Sequence, residues 1–192
     1  MPDLNQPALD FLMTRRSLPA KTFTGPAPTR AALEVILTAA LRVPDHGKLE
    51  PWRLLVLERA ALLRLADLAE SRAHELGADS EKVGKARGQY DAGLLAVAVI
   101  SSPKLSDKVP VAEQVLSAGA LCMGLVTAAT AAGWGACWLT GWPAHDATFA
   151  ARAFDCTETE KVAGLIHIAT PTVIPPDRPR PDLARVVTWV PA

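Results

Sequence analysis

Arg15-Arg16-Ser17 and the run from Arg42 to Arg53 hold the densest chemistry in this sequence. Two adjacent guanidiniums followed by a hydroxyl suit an anion such as a phosphate, because guanidinium donors form charge-assisted, often bidentate bonds to its oxygens. Each such bond contributes roughly 1.5–3 kcal/mol. A solvated arginine pair on an amphipathic helix fits the same residues. The second run reads Arg42-Val43-Pro44-Asp45-His46-Gly47-Lys48-Leu49-Glu50-Pro51-Trp52-Arg53. It sets Asp45 and His46 just past a helix end, where a cationic or polar side chain is favoured, and Pro51 stiffens the start of the next strand. A turn carrying a satisfied surface histidine is the competing reading.

Two further segments join these. In Gly133-Trp134-Gly135-Ala136-Cys137-Trp138-Leu139-Thr140-Gly141, glycines allow a flat ring to approach the backbone closely, though a buried strand with tight turns needs them too. Arg178-Pro179-Arg180 is either a second cationic pair for the same anion or a basic, proline-rich surface loop. Other signatures are missing. No GxGxxG, Walker or GxSxG motif appears, and His46, His74, His145 and His167 have no metal-ligand spacing.

Taken together, these residues resemble the FMN-dependent nitroreductase family in its small single-domain bacterial form. The specific matches are Arg15–Ser17, Arg42–Trp52 and Trp138–Thr140, and the resemblance extends over nearly the whole chain. It implies that Arg15, Arg16 and Ser17 hold the FMN phosphate and ribityl chain. His46, with Arg42 four residues before it, would lie along the flavin, and Trp138, Leu139 and Thr140 would line it. Arg178 and Arg180 stand at the spacing of a phosphate clamp in larger members. Glu50 departs from the commoner Gln before Pro-Trp, Leu139 stands where relatives can carry a basic residue, and Lys48 has no assigned role.

The implied activity is ping-pong hydride transfer from NADH or NADPH to flavin N5, then onward to nitroaromatics, quinones or similar small-molecule acceptors. No catalytic side chain is then expected, because the flavin supplies the chemistry. Other flavin chemistry on the same fold (dehalogenation, flavin cleavage) and flavin binding without turnover use the same residues. The implied fold is α+β, a three-layer unit with a central mixed, largely antiparallel sheet flanked by helices. Two such units form an intertwined homodimer in which residues 171–192 reach the partner protomer.

Composition sets the frame for these residues. At 192 residues, 49% of them hydrophobic, the chain fits one domain spanning 1–192 with a large core filled mainly by Ala, Leu and Val. Twenty basic residues balance twenty acidic ones, so no global field recruits nucleic acid or an anionic membrane, and any anion site is local. Cys122, Cys137 and Cys156 have no disulfide or metal spacing; the first two read as small buried hydrophobes. With no signal-peptide pattern after Met1, a cytoplasmic location is expected.

The elements follow from periodicity and breakers. Helices are predicted over Pro7–Thr14, from a Thr29 cap to about Val43, over Ala60–Leu76, Asp79–Gly88, Val109–Ala132 and Ala144–Phe154. Strands are predicted over Arg53–Glu58, Leu94–Ile100, Trp134–Thr140, Val162–Ala169 and Ala184–Val190. Val115 to Ala144 carries no charge and is long enough to span a bilayer, but its glycines and missing basic flanks read better as a buried helix followed by a buried strand. A helix apolar on all sides needs cover that one chain lacks, which points to a dimer seam along it.

Overall fold

A fully buried strand, β3 (Leu95–Ser101), organises the structure. Its continuous apolar run is covered on both faces, as the sequence leads one to expect of such a run. The computed structural model describes residues 3–191. In chain order it comprises α1 (Gln6–Thr14), β1 (Phe23–Thr24), α2 (Arg30–Ala40), β2 (Trp52–Glu58), α3 (Arg59–Glu75), α4 (Ser80–Asp91), β3, α5 (Val111–Ala131), β4 (Gly135–Leu139), α6 (Gly141–His145), α7 (Ala147–Phe154), β5 (Lys161–Pro171) and α8 (Leu183–Val186). The strands lie in the order β2-β3-β5-β4, with β1 joining the end of β5 through Phe23 and Pro171. Every strand pair among the described residues is antiparallel.

Alternation along β3 feeds two cores. Ala96, Ala98 and Ile100 pack with Leu62, Tyr90, Phe149 and Leu165 under α3, α4 and α7. Leu95, Val97 and Val99 pack with Ile36, Leu121, Leu125 and Ile166 under α2 and α5. Helices therefore cover both faces of one sheet, the α+β, three-layer arrangement expected. α2 begins where expected, with Thr29 Oγ1 accepting from Ala32 N at 3.3 Å. α5 is long and apolar enough by length and composition to cross a membrane, and in this fold it lies against α2, β3, β4 and β5. Its outer face leaves Val111, Val115, Leu116 and Met123 exposed.

Three local expectations are corrected. The predicted Ala144–Phe154 helix is broken at Asp146, whose carboxylate caps α7 at Phe149 N (2.7 Å) and pairs with Arg72. Ala184–Val190 is not a strand: one helical turn, α8, is followed by unpaired residues with Trp189 89% and Val190 87% exposed. Its apolar residues meet no sheet edge in their own chain. Gly135 does not leave a slot for a ring, because Phe23 already packs against it. Gly133 forms the turn after α5 at φ +84°, and a Cβ on Gly135 would come within 2.6 Å of Phe23.

Candidate cofactor site

α1 ends at Arg15, where the backbone turns extended, and Leu18 N then donates to Ala136 O at 3.2 Å. That bond ties the Arg15–Ser17 segment to the free edge of β4, two residues before Trp138. The C-terminal tail returns to the same place. Arg15, Arg16, Ser17, Asp177, Arg178 and Arg180 line one concavity of about 710 Å³, floored in part by Leu12. The two segments clasp each other reciprocally. Arg16 Nη1 donates to Pro176 O and lies 4.0 Å from the Asp177 carboxylate, while Arg180 Nη2 donates to Met13 O. Arg15 Nη2 donates to Ser17 Oγ at 3.3 Å, and its Nε is buried without a partner among the described residues. Four guanidiniums and one carboxylate thus line the same concavity, a local excess of positive charge in a chain of zero net charge.

Trp138, Leu139 and Thr140 close β4 near this segment. Trp138 Nε1 donates to Ala163 O at 3.0 Å, and its indole lies over Gly164, where a Cβ would come within 2.2 Å of Nε1. The ring is 42% exposed, and Leu139 and Thr140 are half-buried.

Arg42 and His46 lie elsewhere. Arg42 lines a second concavity with Thr38, Asp45, Lys48, Glu50 and Trp52 that shares no residue with the first. The loop is tightly specified. Gly47, Lys48 and Glu50 all take left-handed backbone (φ 74°, 54° and 47°), and the Asp45 carboxylate accepts from Leu49 N at 3.1 Å and Glu50 N at 2.8 Å. Side chains from α5 hold it in place. Ser117 Oγ donates to Pro44 O at 2.7 Å and accepts from Trp52 Nε1 at 3.2 Å, while Glu113 Oε2 sits 2.8 Å from His46 Nδ1. Sequence reasoning missed Glu113, Ser117 and Asp177. Each meets its partner only through the fold, 67 residues away in the case of Glu113.

A profile of the nitroreductase family matches residues 12–170. The chain belongs to the nitroreductase family. Among curated proteins, it is 35% identical over 164 residues to the Escherichia coli K12 protein named "Putative NAD(P)H nitroreductase YdjA", covering 85% of this chain and 88% of that one. It is 38% identical over 166 residues to a "Putative NAD(P)H nitroreductase" of Haemophilus influenzae, with the same coverage. The fold resembles the nitroreductase-like family protein of Bacillus cereus (TM-score 0.79, 19% identity, 99% of this chain and 98% of that one). It also resembles a Desulfovibrio desulfuricans structure described as a "putative nitroreductase in complex with fmn" (TM-score 0.73, 21% identity, 98% and 99%). Arg178 and Arg180 fall beyond the stretch the family profile matches.

Several ionisable groups of the nitroreductase chain away from these concavities are held in structural settings. Burial pushes the thiols of Cys122 and Cys137 up to about 12 and about 11, which keeps them as unreactive neutral groups. Arg53 grips Glu160 through Nε (2.9 Å) and Nη2 (3.0 Å) and also donates to Phe154 O, and it holds the Glu160 carboxyl down at about 2. Glu160 also accepts from Thr157 N at 3.1 Å, across the turn that leads into β5.

Proposed function

We propose that this nitroreductase-family chain is an FMN-dependent oxidoreductase that takes hydride from NADH or NADPH and passes electrons to nitroaromatics, quinones or similar acceptors. The observation that carries the reading is the four-arginine concavity, with its buried, partnerless Arg15 Nε beside the edge of β4. Such a donor set fits a phosphate dianion, and the names of the relatives and the FMN complex of the Desulfovibrio protein support the reading. Arg15, Arg16 and Ser17 would hold the phosphate, with Arg178 and Arg180 closing over it. When bound, FMN accepts a hydride and donates it onward, so the protein's part is to bind, orient and balance charge. Trp138, Leu139 and Thr140 would bound the ring.

Arg42 lines a different concavity of the same chain and His46 sits on the loop that follows it, so both would join this site from a second copy. The exposed apolar face of α5, together with exposed Leu9, Leu12 and Met13 on α1, supports a homodimer that apposes the two. The exposed end of the tail, with Leu183, Val186, Trp189 and Val190, would reach the partner. The test is direct. The purified protein, reconstituted with FMN and mixed anaerobically with NADH or NADPH, should bleach and then recolour when a quinone or nitroaromatic is added, with ping-pong kinetics. Protein that takes up no FMN, or whose flavin neither reductant bleaches, contradicts the reading.

A further inference from the structure

The structure assigns Glu113 a positioning role, exerted through His46; this inference rests on the flavin reading above. Glu113 stands in the first turn of α5, where the helix dipole favours a carboxylate. Its Oε2 lies 2.8 Å from His46 Nδ1, with the two side chains 48% and 60% exposed. An ion pair that open to water adds little to stability. What it fixes is geometry. With the ring neutral, Nδ1–H donates to Glu113, and Nε2 is left as the ring's bare acceptor.

The backbone beneath the ring is held just as firmly. One helical turn after Glu113, Ser117 bonds Pro44 O and Trp52 Nε1, so both ends of the loop are tied to the helix that carries the carboxylate. Between those ties, Asp45 anchors the amides of Leu49 and Glu50. A loop with only a structural task would need Ser117 and Asp45 but has no use for the exposed Glu113–His46 contact. The ring held at one nitrogen and the loop held at both ends together present a single atom, Nε2. A carboxylate behind a histidine sets tautomer and ring orientation in this way wherever the other nitrogen must meet a ligand.

The test compares Glu113→Leu with Glu113→Gln, whose amide oxygen can still accept from Nδ1–H. The first measurement uses flavin-free protein: nitrogen-15 spectra of the His46 ring at alkaline pH. Wild type and Glu113→Gln should carry the proton on Nδ1, and Glu113→Leu should move it largely to Nε2. The second is FMN affinity and the rate of flavin bleaching. Glu113→Leu should lose about fivefold in one or both, as expected for one charge-assisted bond weakened by exposure, with an unchanged thermal melt. Glu113→Gln should recover most of that loss. A Glu113→Leu ring still protonated at Nδ1, or Glu113→Gln losing as much as Glu113→Leu, overturns the inference. If wild type takes up no FMN, the flavin reading fails by itself, and the tautomer spectra alone decide the role of Glu113.

Discussion

His167 lies in the middle of β5, 1% exposed, with no hydrogen-bond partner on either ring nitrogen among the described residues. Gly93 makes room for it, since a Cβ there would sit 2.9 Å from the ring. Burial alone lowers its pKa from 6.5 to about 4. The unfolded chain therefore takes up this proton first. The stability held by the neutral ring is complete above pH 6.5 and is lost as pH falls toward 4. Glu160, held at about 2 by Arg53, loses its contribution lower, between about 4.5 and 2. Melting curves recorded from pH 7 to 4 should fall steeply for wild type and more gently for His167→Gln; parallel curves would show that His167 is not the cause. Legibility at this scale divides sharply. The residue types at Arg15–Ser17 and Arg42–His46 suit an anion, though a solvated arginine pair and a surface histidine fit them equally, and it is the family resemblance that separates the two. Their partners could not be read, because Arg16 meets Pro176 across 160 residues and Arg180 meets Met13 across 167, and no local pattern encodes such pairings.

Elements were legible wherever burial sets a period. β3 and α5 are continuous apolar runs because helices cover both sheet faces and because α5 packs on three strands and a helix. The breaks were less legible because they depend on single groups, as when Asp146 turns one helix into two by capping. The tail misled because alternating apolar residues specify a strand only where an edge receives them. The β4–β5 pair shows how an element positions the site. Trp138 is opposite Ile166 in register, and its indole covers Gly164, with Cys122 Sγ 3.1 Å from where a Cβ would stand. Gly164→Ala should push the indole off β5, red-shift the emission that Trp138→Phe removes, and cost about 1–3 kcal/mol through overpacking. An unshifted Trp138 emission would mean that the glycine does not set the ring's place.

At the scale of the whole molecule, one chain leaves its parts in two places. The four-arginine concavity and the Arg42 concavity share no residue, and apolar side chains of α1, α5 and the tail face outward around them. The proposed homodimer would account for both at once. Light scattering at micromolar concentration should give twice the chain mass, and Leu116→Glu, placed at a residue 73% exposed on α5, should give monomers that bind FMN poorly. A wild-type monomer would contradict that assembly. The central claim is that Arg15 and Arg16 hold a flavin phosphate, and FMN affinity of the Arg15→Ala, Arg16→Ala double variant measures it most directly. The account predicts a thermal melt close to wild type and an FMN Kd raised about a hundredfold, the equivalent of two charge-assisted bonds. An FMN Kd equal to that of wild type would contradict it.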